Sequence, residues 1–452
     1  MRKWVFLILI VMVALQLIRP SIPAKPATSE IQAPLQVKQI LSKDCYSCHS
    51  DQRRLSWFDQ IVPGYWLVRH DVLTAREHLD FSTLGSKPAA VQKATLYEAV
   101  NMIRLGAMPL PSFRKFHPEA RVTPEELATL EAYLAPWTPA PKPPASGTSS
   151  ERTNDAFATV PAPINLTAVQ PEFTGLSFES GFESWKLIST TDRGDNSTFR
   201  FILGNDIAVR AARLGNVSPW PDGTRFAKIA WQQQPGADGL VHPGKFVQVE
   251  FMLKDARSYK DTEGWSWGRW RGLGLKPYGH DAGFVNECTG CHLPVRGNDY
   301  VYTLPMTGAS VERNEVVNNE AANLRADLPW QPLEWNAVTM YVDPLNYATA
   351  TLFGNGIAMQ AIQPRNPKPQ APAYPAGAVL ALVTWAQRED PHWFGARIPE
   401  VPRSVEFVEV ATGGQMKSYR RFAGAGLLED RPTNMDTQRA GFILGLTPAS
   451  LP

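Results

Sequence analysis

Three textures follow one another along the 452 residues of the chain. An uncharged apolar run from Trp4 to Ile18 comes first, directly after Arg2 and Lys3. From about Gln36 to Pro136 apolar positions recur at helical spacing. "TLYEAVNMIRLGAMP" (95–109) has this spacing, and "TPEELATLEAYL" (123–134) opens with Thr123 as N-cap, Pro124 at the first helical position and Glu126 closing a capping box. Beyond about residue 166 short runs alternate instead, as in "TFRFILGN" (198–205), "RFAKIAW" (225–231) and "KFVQVEFML" (245–253), broken by Gly, Pro and Asp. The pattern predicts a mainly α domain followed by antiparallel β-rich domains with a few helices. In "RFAKIAW" alternation puts Arg225, Ala227, Ile229 and Trp231 on one face and Phe226, Lys228 and Ala230 on the other. Residues 137–165, rich in Pro, Ala, Ser and Thr, hold too few large apolar groups to pack and read as a linker.

The β texture is written twice. Trp185 to Gly204 and Trp335 to Gly354 have identical spacing, Trp231 answers to Trp385, Gly223 to Gly377 and Asn205 to Asn355. A repeat at so long a period means a duplicated domain, here 166–306 and 320–452, the repeated part of the second starting at about Leu333. Duplication preserves a self-complementary patch on both copies, so the two are expected to pack as an internal pseudo-dimer. In the second copy Ala350 stands for Arg200 and Leu382 for Lys228, while Glu409 is expected opposite Glu250.

The first 22 residues read as a signal anchor or a signal peptide. The apolar run is shorter than the ~20 residues of a comfortable span; the missing small-x-small cleavage pattern favours an anchor in the bacterial inner membrane. Either way the rest is exported, to the periplasm. The 45 basic and 43 acidic residues give a net charge of +2, so no basic stripe invites nucleic acid.

All four cysteines fall in two motifs, Cys45-Tyr46-Ser47-Cys48-His49 and Cys288-Thr289-Gly290-Cys291-His292. Two thioethers and one axial imidazole at that spacing are what a covalent c-type haem needs, and a zinc or disulfide reading would have to explain both motifs at once. The chain therefore reads as a dihaem c-type cytochrome. Opposite His49, Met108 in Gly106-Ala107-Met108-Pro109 is the best-placed second ligand, with His70, His78 and His117 as rivals. A Met thioether there makes a closed, electron-transfer haem.

"CYSCHSDQ", Trp57, Pro63, Trp66, His70, Arg76, "DFS" at Asp80–Ser82 and "GAMP" resemble a family of small membrane-anchored bacterial haem-binding domains. That resemblance implies His49 and Met108 as axial ligands. Farther on, "STFRFILGNDIAVRAA", "PWPDGTRFAKIAW", "VQVEFMLKDARSY", "GWSWGRW", "CTGCH" and "DYVYT" are similar, in order, to the cytochrome P-460 and cytochrome c′-beta family over about 178–306. In its hydroxylamine-oxidising branch a lysine bonds covalently to the haem, and an arginine and a glutamate line the distal pocket. The resemblance puts these roles on Lys228, Arg200 and Glu250, with His292 as proximal ligand and no sixth ligand in sight.

Three activities stay open. One is hydroxylamine oxidation at the open haem, with Glu250 as proton acceptor and electrons leaving through the His49/Met108 haem to a redox partner protein. The second is nitric-oxide binding or electron transfer without turnover, for which Phe199, Phe201 and Phe226 offer an apolar wall. A peroxidase is the third.

Overall fold

The computed structural model describes residues 2–24, 27–52, 55–134, 165–281, 283–308, 317–362 and 371–451. The chain divides into two units, Met1–Thr138 and Pro139–Pro452. The expected linker, save its last position, lies outside the described residues.

The first unit is helical: α1 (Arg2–Leu15), α2 (Leu35–Asp44), α3 (Tyr46–His49), α4 (Gly64–His78), α5 (Phe81–Leu84), α6 (Ala89–Arg104), α7 (Pro111–Arg114) and α8 (Pro124–Leu134). The capping box of α8 forms as read, with Thr123 Oγ1 accepting from Glu126 N at 3.2 Å and Glu126 Oε2 from Thr123 N at 2.9 Å. Among the described residues no helix is long and apolar enough to cross a membrane. The N-terminal segment is bonded to the rest of the first unit. Gln16 Nε2 donates to Val62 O and Val62 N to Gln16 Oε1, both at 3.0 Å, and Trp66 Nε1 donates to Ile18 O at 2.9 Å. The chain leaving α1 thus satisfies its polar groups on the domain behind it.

The second unit is one antiparallel sheet of 12 strands built in two halves. The first half runs β1 (Lys186–Arg193), β2 (Thr198–Gly204), α9 (Asp206–Leu214), β3 (Arg225–Pro235), β4 (Val241–Lys254), β5 (Trp265–Arg271), β6 (Lys276–Pro277) and α10 (Gly283–His292). The second repeats that order as β7 (Asn336–Asp343), β8 (Ala348–Gly354), α11 (Gly356–Met359), β9 (Val379–Asp390), β10 (Trp393–Val410), β11 (Met416–Ala423), β12 (Leu428–Glu429) and α12 (Asp436–Leu444).

The repetition extends to single bonds. Asn205 and Asn355 cap their helices by accepting from Ala208 N at 3.0 Å and Ala358 N at 2.9 Å. Gly223 (φ +86°) and Gly377 (φ +83°) turn into β3 and β9 through a left-handed backbone that favours glycine.

The halves meet reciprocally, β1 on β10 (Asp192↔Arg397) and β7 on β4 (Val342↔Val241). A shared core fills the space between them, including Phe199, Phe201 and Trp231 from the first half and Phe353, Trp385 and Phe407 from the second. The outer faces are covered by helices: α9 and α10 share a core with Ile202 and Phe226, and α12 shares one with Leu352 and Leu382. Ala227, Ile229 and Trp231 face the shared core and Phe226 the outer one, as the alternation of "RFAKIAW" requires.

Register corrects one correspondence. Lys228 pairs with Glu250, and Leu382 pairs with Glu406, so the counterpart of Glu250 is Glu406. Glu409 pairs with Val379, three positions farther along β10. The segment "VEFVEV" (405–410) offers two glutamates in like surroundings, and bulges in β10 between Pro399 and Ser404 shift the spacing by which they would be matched.

Candidate haem sites

Helix α10 carries Cys288, Cys291 and His292 over one turn, and its place against the sheet is fixed by a salt bridge, Arg269 Nη1 to Glu287 Oε1 at 2.8 Å. Arg269, from β5, also holds Glu250 of β4 through Nε at 2.9 Å. Lys228 of β3 forms an ion pair with the other oxygen of Glu250, and Gln248 Nε2 donates to the same carboxylate. Three neighbouring strands thus gather Lys228, Glu250 and Arg269 beside the Cys-x-x-Cys-His helix. Arg200 of β2 shares their electrostatic field.

Burial and charge set the protonation of this cluster. Burial, with Arg200 and Arg269 nearby, lowers the Lys228 ammonium to about 8 against the pull of Glu250. Burial alone would raise Glu250, but Lys228 and Arg269 hold it well below the usual carboxylate range. Burial brings Arg200 down to about 9, and its Nε is a buried donor without a partner. His292 is lowered to about 4, again by burial first, and is therefore a neutral imidazole. Its Nδ1 donates to Tyr300 O at 2.6 Å, leaving Nε2 for a metal. The ring lies between Trp267, centroids 5.8 Å apart, and Tyr302, 5.3 Å apart.

These groups fit a covalently held haem. Two thiols stand one turn apart on a helix, an oriented neutral imidazole follows them, and buried donors, Arg200 Nε and Trp267 Nε1, are left without protein partners. The cysteines form no disulfide, and burial pushes the Cys288 thiol up to about 12. Among the described residues no three His, Cys, Asp or Glu side chains converge as a metal-ion site.

In the first unit burial likewise raises Cys45 to about 12 and Cys48 to about 11, and it lowers His49. The His49 Nδ1 donates to Leu79 O at 3.0 Å, again freeing Nε2. Met108 is half-buried in the turn that closes α6, its amide and that of Ala107 both donating to Met102 O at 3.1 and 2.9 Å. Of its rivals, His70 and His78 are exposed. His117 has both ring nitrogens engaged, to Asp59 at 2.8 Å and Glu119 at 3.0 Å, and its ring stacks on Phe58 and Phe113. It is a structural histidine.

Strand faces also correct the apolar wall. Phe199 and Phe201 point into the core between the halves, away from Lys228; only Phe226 lies on the side of α10. Arg269 and Glu287, which tie the cluster to α10, escaped notice in the sequence although Arg269 sits in the quoted string "GWSWGRW".

Two units that each follow a Cys-x-x-Cys pair with a half-buried, oriented imidazole define a haem cytochrome. The family described as Cytochrome P460 matches residues 179–303, and the one described as Haem-binding domain matches residues 5–136. The chain thus joins a cytochrome P460 domain to an N-terminal haem-binding domain. Neither match reaches the second half of the sheet. No curated protein matches the chain.

Proposed function

We propose that the protein is an exported dihaem c-type cytochrome, held at the periplasmic face of the inner membrane by its leader, that oxidises hydroxylamine. The observation that carries this reading is the Lys228–Glu250–Arg269 cluster beside α10, an ionised carboxylate kept where a small substrate would meet the haem of Cys288, Cys291 and His292. A haem held by Cys288, Cys291 and His292 would supply the site for the substrate nitrogen and the redox chemistry. Glu250, ionised by its two cationic neighbours, accepts a proton from the substrate nitrogen. Arg200, with a donor unspent, orients the substrate. Lys228, lowered to about 8, is available in part as a neutral amine near that pH, the form that a covalent bond to the haem edge demands. Cys45, Cys48, His49 and Met108 would hold a second haem, which would supply electron transfer toward a redox partner protein. The second half of the sheet is a degenerate P460-like copy that acts as an internal dimer partner.

Nitric-oxide binding without turnover draws less support. It calls for an apolar distal wall, and two of the three phenylalanines available for one face the other way.

Lys228→Ala should abolish hydroxylamine oxidation and convert an unusual haem spectrum into an ordinary c-type one, with nitric oxide still binding. A parent whose haem peptide carries no lysine, and whose turnover equals that of the variant, overturns the enzyme reading. In the first unit, Met108→Ala should remove the weak Met-to-iron charge-transfer band and lower that haem's potential. Persistence of the band would move the ligand assignment elsewhere.

A further inference from the structure

The tip of the β9–β10 hairpin belongs to the second half but ends beside the His292 motif of the first. His392 Nδ1 donates to Tyr302 O at 2.6 Å, and the Trp393 ring meets the Tyr302 ring edge-on, centroids 5.4 Å apart. Tyr302 in turn donates from its hydroxyl to Cys291 O at 2.6 Å and lays its ring against His292 at 5.3 Å. The hairpin tip is itself held. Asp390 Oδ1 accepts from His392 N at 2.9 Å, the Arg193 guanidinium lies 4.3 Å over Trp393, and Trp393 Nε1 donates to Asp195 Oδ2 at 3.2 Å. Arg193 and Asp195 are buried and form an ion pair with each other. The contact therefore rests on a fixed support on both sides of the seam.

We propose that His392 and Trp393 are positioning residues of the haem site, acting through Tyr302 on the Cys291–His292 turn, so that the haem-free half completes the proximal side of a haem it does not bind. The orientation and basicity of an axial imidazole depend on the groups behind it. Tyr302 is one such group, and both its carbonyl and its ring are fixed by the second half. This gives the copy a reason to persist after its own chemistry is gone. The inference rests on the reading that a haem is attached at Cys288 and Cys291 with His292 as its ligand.

The test is resonance Raman spectroscopy of the reduced full-length protein, reading the iron–histidine stretch of the His292 haem, together with that haem's midpoint potential. Tyr302→Phe is isosteric and removes only the hydroxyl bond to Cys291; it should shift the stretch. Trp393→Leu and His392→Ala should shift both stretch and potential, and Trp393→Phe and His392→Asn, which restore a ring and a donor, should return them toward the parent. The potential of the N-terminal haem should stay unchanged in every variant. A parent with no iron–histidine band at this site refutes the five-coordinate, His292-ligated haem on which the inference rests. A parent band that none of the variants moves overturns the positioning role alone, as does a shift that Trp393→Phe and His392→Asn fail to reverse.

Discussion

The two halves of the sheet have the same strand order and register, and they fill the space under their covering helices in opposite ways. Under α10 stand Arg200, Lys228, Glu250 and Arg269, with two thiols and an imidazole on the helix. Under α12 the matching strand positions are Ala350 and Leu382, both fully buried. Counting from the equivalent strands β6 and β12, the helix positions of Cys288, Cys291 and His292 fall on Ala440, Ile443 and Leu444. Two charges survive, Glu406 in the place of Glu250 and Arg421 in the place of Arg269. Glu406 is buried, and Arg439 grips it from α12 with bonds of 2.7 and 2.8 Å while Tyr419 donates at 2.6 Å. The partner of the carboxylate has changed: Arg421, across from Glu406 as Arg269 is from Glu250, bonds Asp430 instead, and Arg439, in the position of Glu287, holds the carboxylate from the helix. A carboxylate kept without any haem motif teaches that an ion pair at this strand position is no sign of haem chemistry by itself. What sets Glu250 apart is the company of Lys228 and Arg200, and any chemistry assigned to it depends on them.

The largest effect should come from breaking the retained pair. Arg439→Leu leaves Glu406 buried without its cation, with only the Tyr419 hydroxyl still donating to it, and removing one partner of such a pair should cost about 3 kcal/mol, read as a lower denaturation midpoint of the second unit. Replacing both, Glu406→Leu with Arg439→Leu, should recover most of that loss, because two apolar side chains have nothing to leave unpaired. A double variant as unstable as the single would mean that the pair specifies the fold of this half and is not merely tolerated by it.

The same comparison shows what sequence could and could not carry. Capping boxes, strand alternation and the 185–204/335–354 repeat are local patterns, and each gave the right element and face. The Cys-x-x-Cys-His motifs are local too, since a helix turn alone places their three side chains. Arg269, Glu287 and the hairpin tip at His392 and Trp393 were missed because their partners lie on other strands or across the seam, where pairing register decides who meets whom. Glu406 was misplaced for the same reason. Two glutamates three residues apart look alike in sequence, and bulges in β10 break the spacing by which they would be told apart.

A smaller effect is expected at the seam. Asp192 is buried there, raised to about 7 by burial although Gln387 and Gln233, one from each half, donate to it at 2.9 and 2.6 Å. Its counterpart on β7 is Val342, so the matching position on the other side of the pseudo-symmetric contact carries no carboxyl group. An acid whose pKa is higher folded than unfolded keeps its proton in the native state while the unfolded chain loses it. The stability it lends is therefore present in acid and is lost as pH rises from about 4 to about 7. Asp192→Asn should leave the unfolding midpoint nearly unchanged below about pH 4 and raise it at pH 8. Parallel pH profiles for parent and variant would show that Asp192 is ionised throughout, and that the two glutamines suffice to hold a carboxylate at the seam.

The smallest effect separates the two glutamates that sequence confuses. Glu409 is partly exposed and bonded at the surface to Lys417 at 2.7 Å and Ser418 at 3.1 Å, whereas Glu406 is buried. Surface pairs of this kind contribute about 0–1 kcal/mol, so Glu409→Gln should move the denaturation midpoint little, and what it does move should shrink as salt is added. Glu406→Gln keeps the shape but turns one of two accepting oxygens into an N–H that faces the donors of Arg439 and Tyr419, so it should be clearly the more damaging of the two and insensitive to salt. Equal losses from both substitutions, or the larger loss from Glu409→Gln, would reverse the assignment. The residue answering to Glu250 would then be the exposed one, and the case that this strand position holds an ion pair in both halves would fall with it.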